Sequence, residues 1–238
     1  FTKNLAKKLK VPVVCVNHCI SHLEIGRVTG AKDPVLLYVS GANTQIIAYA
    51  SGKYRIFGES LDIGIGNFID TFARAAGIGF PGGPKVAELA SKSINYIELP
   101  YSIKGMDVAF SGMLTKLKNL LGKKEKFEDL CFSLQETAFA MLVEAAERAL
   151  AHTGKKELLL GGGVACNRRL QEMCKIMCQE RGCKFFCPPN EFLTDNAAMI
   201  AYLGEIMFKK GIKVEGKDIE KLDIKPRERT DEVEVKWK

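Results

Sequence analysis

No uncharged run in this 238-residue chain reads as a lipid-embedded helix. The longest, Pro34–Gly52, carries Ser40, Gly41, Asn43, Thr44, Gln45 and Gly52. Hydrocarbon would leave those polar groups costly, whereas two strands joined by a polar turn accommodate them. No signal peptide is visible, so the eight cysteines (15, 19, 131, 166, 174, 178, 183 and 187) are expected to be reduced, buried thiols of a cytoplasmic protein. The sequence also lacks the tight CxxC knuckle of structural zinc sites. Cys174-x3-Cys178-x4-Cys183-x3-Cys187 places its first pair on an expected helix and its last on a strand. Internal repeats, low-complexity segments and RGG, RRM or basic-arm patterns are absent as well. With 35 Lys+Arg against 28 Asp+Glu the net charge is +7, which permits an RNA partner without requiring one. The lysine clusters at 7–10, 123–126 and 209–213 read as solvated faces.

Apolar residues at 47% and charged residues at 26% mark a globular chain long enough to bury a sizeable core. The opening FTKNLAKKLK reads as a basic helix end, and VPVVCVN (11–17) as a strand buried on both faces. HCISHLEIGRV (18–28) has helical character. VLLYVSG (35–41), TQIIAYA (44–50) and YRIFGES (54–60), separated by short turns, predict an antiparallel meander. Residues 62–76 read as a helix and PGGP (81–84) as a loop opening a mixed stretch to about Lys126. A long amphipathic helix is expected from Phe127 to about Thr153, then a strand entering GGGVACN, a helix from Asn167 and a short KFF strand. A last helix over 194–211 has Thr194 or Asp195 as its cap candidate. The tail from Leu222 is polar and expected to lie over the surface.

Four places could carry chemistry. If residues 18–28 are helical, His18 and His22 are i, i+4 neighbours whose imidazoles can share a metal. The metalloprotease pattern is excluded, because Cys19 stands where its glutamate would be. Spacing alone does not decide for a metal, although delivery by a strand to a helix start is where α/β proteins place ligands. His152, at the end of the long helix, reads as a cap on its dipole. Tyr38-Val39-Ser40-Gly41-Ala42-Asn43-Thr44 is open between a plain hairpin turn and a cradle of free N–H groups for an anion. GGGVACN (161–167) allows close approach of a ligand to the backbone, with Asn167 at a helix N-terminus, but it is not the dinucleotide fingerprint. Asp195, in Thr194-Asp195-Asn196, needs no role beyond capping.

Taken together, VNHCISHLEIGR, LYVSGANTQ, RIFGESLDIGIGNFIDTFAR, PGGP, LPYSIKGMDVAFSG, CFSLQETAFAMLVEAAERALAH, GGGVACNRRLQEM, FLTDNAAMIA and RTDEVEVKW closely resemble one family. It is the archaeal and eukaryotic branch of the TsaD family, the tRNA N6-adenosine threonylcarbamoyltransferases that are catalytic subunits of the KEOPS complex. The resemblance runs from about Val11 to the C-terminus. It implies an α/β ASKHA (actin/hexokinase-like) fold, with residues 1–33 a remnant of the N-terminal lobe and 34–238 the C-terminal lobe with an insertion at about 78–126. Family members carry an N-terminal lobe ahead of the first helix seen here, which leaves a fragment and a shortened paralogue as the two expectations. The resemblance further implies one divalent metal ion, Fe or Zn, held by His18, His22 and Asp195 with Tyr38 as a possible further ligand. Threonylcarbamoyl-AMP or an ATP- or AMP-like nucleotide would be lined by Tyr38, Val39, Ser40, Gly41, Ala42, Asp70, Gly83 and Asn167. The implied reaction is transfer of threonylcarbamoyl to N6 of adenosine 37 in tRNAs reading ANN codons. Implied partners are tRNA, a small atypical kinase/ATPase and a small dimerising subunit, with no membrane. Two positions depart from the family pattern: Ala42 replaces a glycine, and Ala87 replaces a glutamate so that Glu88 stands one residue out of register. The competing readings are an ASKHA-type phosphotransferase or ATPase, and a non-catalytic binding module.

Overall fold

The computed structural model describes all 238 residues. The basic opening forms α1 (Thr2–Leu9), and Asn17 caps α2 (His18–Ile25), its side chain accepting the Ile20 N–H at 3.2 Å. The meander follows as β1 (Val35–Val39), β2 (Thr44–Ala50) and β3 (Lys53–Glu59), paired antiparallel in turn. Next come α3 (Ile65–Ala75), α4 (Gly83–Ala90), the small hairpin β4 (Ile103–Lys104) and β5 (Asp107–Val108), and α5 (Ser111–Leu120). The long helix α6 spans Phe127–Thr153 and stops at Gly154, whose φ of 68° suits the left-handed residue that closes a helix. Then follow β6 (Glu157–Gly161), α7 (Arg168–Glu180), β7 (Lys184–Phe186), the short α8 (Asn190–Leu193) and α9 (Ala197–Lys209).

The main sheet has the order β3-β2-β1-β6-β7, with β1, β6 and β7 parallel. Strand alternation divides its side chains between two cores. Val35, Leu37, Val39, Leu158 and Leu160 face the side covered by α6, while Leu36, Tyr38, Ile47 and Leu159 meet Ile20, Leu23 and Leu203 from α2 and α9. All five residues of β1 are buried, as expected for a central strand covered on both faces. The unusual string 104–112 turns at Gly105 and is pinned by Asp62, which accepts the N–H groups of Phe110 at 3.0 Å and Ser111 at 2.8 Å.

Several sequence expectations need correction. Residues 11–17 form no strand: only Val13 pairs, exchanging backbone bonds of 2.8 Å with Val214. With no further ladder partner, the run stays largely half-buried or exposed. PGGP is only partly loop, because Gly83 and Pro84 open α4, where proline lacks only an N–H that has no helical partner. The last helix is capped by Asn196, which accepts the Met199 N–H at 2.9 Å, so neither Thr194 nor Asp195 serves that end. The tail is not simply a surface cover: Thr230 and Trp237 are buried, the latter because its indole N–H finds Glu24 at 3.0 Å. All eight cysteines are free, but only Cys131, Cys174 and Cys178 are buried; Cys15 is exposed and the other four are half-buried, contrary to the expectation for the thiols.

Candidate active site

The carboxyl ends of parallel strands are where open α/β sheets bind ligands. Here β1 ends beside β6, with Tyr38 opposite Gly161. The turn after β6 must pass close to the turn after β1: a Cβ on Gly162 would stand 2.4 Å from the Val39 carbonyl oxygen, and Gly162 has φ +92°. The turn after β1 is closed by Ser40 N–H to the Asn43 carbonyl at 2.8 Å. Its Ser40 and Gly41 carbonyls accept from Gly66 at 3.1 Å and Asn67 at 2.9 Å in the first turn of α3. The N–H groups of Gly41 and Ala42 find no protein acceptor. Ala42 is not in the left-handed region, so its methyl group brings no backbone strain.

These turns open onto a cleft of about 1250 Å³, lined among others by Gly41, Asp70, Gly83, Asn167 and Thr194. Asp70 Oδ1 accepts the Gly82 N–H at 2.8 Å and so holds the PGGP segment, leaving Oδ2 free of protein partners. Gly83 lies at the start of α4 with open space around it. Asn167 is already engaged: Oδ1 accepts from Arg169 at 2.9 Å and Leu170 at 3.3 Å, and its amide donates to Gln135 at 2.8 Å. Its part in the cleft is therefore to start α7 and fix Gln135. Val39, Ser40 and Ala42 build the turn whose Gly41 meets the cleft wall. Glu88 remains on the rim, where Lys85 at 2.6 Å and Lys92 at 2.7 Å hold its carboxyl down at about 2.

At the Thr194 end of the cleft stands a second cluster. Nε2 of His18 and Nε2 of His22 lie 3.2 and 3.1 Å from the same oxygen, Asp195 Oδ1. One donor atom from each residue lies within 4.8 Å of the others. Two ring nitrogens around one carboxylate oxygen, with all three donor atoms in reach of one another, can hold a shared cation as well as hydrogen-bond to each other. Burial pushes His22 down, which keeps it neutral and free to ligate, and its Nδ1 is buried without a partner. Asp195 is exposed and leaves the cluster open to the solvent side. Tyr38 walls the cluster, its ring centroid 5.0 Å from that of His22, and burial pushes its phenol up. The cysteines take no part: burial raises Cys178 to about 12 and Cys187 to about 11, so they carry protons at neutral pH. His152 sits in the last turn of α6 with its ring 5.8 Å from Phe57.

Sequence reasoning missed the arginines at the start of α7. Two cations in a first helical turn oppose the dipole, and that was the available signal. Arg169 forms a two-pronged pair with Glu136, both bonds at 2.8 Å, and reaches Glu172 at 2.7 Å. Arg168 lines the cleft, exposed and paired with no carboxylate.

A mixed sheet flanked by helices, with its cleft at the ends of the parallel strands, defines an α/β protein of the ASKHA class. Full-length HypF in its phosphate- and nucleotide-bound form superimposes with a TM-score of 0.69 at 12% identity, over 86% of this chain and 45% of that one. The Clostridium difficile activator of 2-hydroxyisocaproyl-CoA dehydratase gives a TM-score of 0.55 at 13% identity, over 84% of this chain and 71% of that one. At such identities the likeness is one of fold. Sequence comparison is more specific: the family model TsaD, tRNA N6-adenosine threonylcarbamoyltransferase, matches residues 1–202. The tRNA N6-adenosine threonylcarbamoyltransferase of Thermococcus kodakarensis is 58% identical over 234 residues, 98% of this chain and 71% of that one. A probable bifunctional tRNA threonylcarbamoyladenosine biosynthesis protein of Methanothermobacter thermautotrophicus is 55% identical over 237 residues, 99% of this chain and 44% of that one. The chain belongs to the TsaD family of tRNA N6-adenosine threonylcarbamoyltransferases.

Proposed function

We propose that the cleft and the His18/His22/Asp195 cluster together transfer a threonylcarbamoyl group from threonylcarbamoyl-AMP to N6 of adenosine 37 in tRNAs reading ANN codons. The observation that carries this reading is the convergence of two Nε2 atoms on one Asp195 oxygen, one residue beyond Thr194 at the cleft wall. The free N–H groups of Gly41 and Ala42 receive the phosphate, and Asp70 Oδ2 accepts a hydrogen bond from a ribose hydroxyl. Arg168, unpaired at the cleft, offers a further charge to an anionic group. His18, His22 and Asp195 would hold a divalent ion, Fe or Zn, with Tyr38 as the nearby oxygen donor; that nitrogen-and-oxygen set suits either metal. An ion held there would supply Lewis-acid polarisation of an acyl oxygen. The N6 amine forms a bond to the carbamoyl carbon, the bond from that carbon to the phosphate oxygen breaks, AMP leaves with the negative charge, and one N6 proton passes to solvent. Because the exocyclic amine is neutral and weakly nucleophilic, the chain acts by placing the two reactants and stabilising developing charge.

The same reading assigns residues 1–33 to the edge of an N-terminal lobe, 34–238 to the C-terminal lobe, and about 78–126 to a family insertion that packs against α6. It places the protein with tRNA and with KEOPS subunits, a small atypical kinase/ATPase and a small dimerising subunit, in the cytoplasm. No helix is long and apolar enough to cross a membrane. The test is His18→Ala and Asp195→Ala in the intact enzyme, with modified adenosine counted in tRNA digests. Modification is expected to fall about 100-fold or more in each, the upper end of what losing even an outer partner of a metal site costs. Unchanged modification overturns the metal assignment.

A further inference from the structure

We propose that the C-terminal segment 228–238 is a strap that positions α2, and through it the two histidines; this rests on the metal reading above. The strap lies beyond residue 202, where the match to the family model ends. It meets α2 at both ends. At the start, the Asn17 amide donates to the Glu228 carbonyl at 3.4 Å. At the far end, Trp237 Nε1 donates to Glu24 at 3.0 Å, and Glu24 also takes Arg27 at 3.2 Å and the Tyr54 hydroxyl. The strap is itself anchored to the meander: Val235 N–H donates to Gly52 at 3.2 Å, and Lys238 Nζ lies 4.0 and 4.9 Å from the ring centroids of Tyr49 and Tyr54.

Glu24 gives this arrangement its directional character. It is fully buried and lies two residues past His22, which turns it about 200° around the helix from that ligand. A carboxylate without solvent is tolerated only while its partners stay in place, so α2 cannot slide or rotate without breaking bonds to Trp237 and Tyr54. Two helical turns do not hold a geometry by themselves, whereas metal ligands need positions fixed to about half an ångström. Glu24 and Trp237 are thus positioning residues on the far side of the helix from His22.

Coupling between strap and metal must be reciprocal, and this allows a test on the unaltered protein. Zn2+ alone is added and amide exchange is followed in residues 228–238. The Val235 amide is expected to exchange at least about fivefold more slowly with Zn2+ bound, and His18→Ala should abolish the effect. In parallel, Trp237→Phe keeps an aromatic side chain and removes the indole N–H donor; it should weaken Zn2+ binding about fivefold with an unchanged circular-dichroism spectrum. Glu24→Gln, which still accepts from Trp237, should bind Zn2+ more tightly than Glu24→Ala. Zn2+ bound with no change in strap exchange overturns the strap and leaves the metal site standing. Failure of Zn2+ to bind the parent removes both.

Discussion

Asp62 shows how a single carboxylate can join distant segments of chain. Burial acts to raise its pKa, but the backbone donors at Phe110 and Ser111 outweigh that and hold it below the usual carboxylate range. A folded-state pKa below the unfolded one means that the native protein binds fewer protons there. The stabilisation is therefore complete above about pH 4 and is lost as pH falls through the native value. Asp62→Ala should lower stability at pH 7 by about 1 kcal/mol in urea titrations, the usual worth of a helix-end cap. The gap from the parent should close in acid; a deficit that persists well below pH 4 would show that the loss comes from something other than the carboxylate. Asp195 is the contrasting case, an acid released from capping by its neighbour Asn196 and so available to the histidines.

At the scale of elements, the close passage of the turn after β6 over the end of β1 depends on Gly162. Gly162→Ala would combine a left-handed backbone with a methyl group 2.4 Å from the Val39 oxygen. It should cost about 2 kcal/mol or more in thermal or urea unfolding, and an unaffected midpoint would show that the two turns separate freely. Such local demands were partly legible beforehand. The meander, α6 and the helix beginning after Asn167 follow from alternation, 3.6-residue periodicity and turn chemistry, and their bounds fall within two residues of expectation. The Val11–Asn17 run was misread because apolar content says nothing about whether a neighbouring strand exists. His18 and His22 were visible as an i, i+4 pair, whereas Asp195 joined them only by resemblance, being 173 residues from His22. Trp237 and Glu24 were out of reach altogether: each looks ordinary in its own stretch, and only folding across 213 positions makes them a pair.

For the molecule as a whole, the +7 charge gains meaning from its polyanionic substrate. If a few lysines and arginines neutralise tRNA phosphates, affinity should fall about tenfold between 50 and 200 mM KCl in a filter-binding titration, and a salt-insensitive affinity would place the tRNA contacts elsewhere. Charge of this kind is spread over the surface, but the layout of the interior is more centralised. β1 supplies Leu37 and Val39 to the core under α6, Leu36 and Tyr38 to the core under α2, and its last residue to the turn at the cleft. With Val35 also in the core under α6, a change at any of the five positions disturbs packing against one of the two layers. Scored across every substitution, β1 should be the least forgiving stretch of the chain: its failures would divide by odd and even position between lost nucleotide binding and lost metal, from a strand only five residues long.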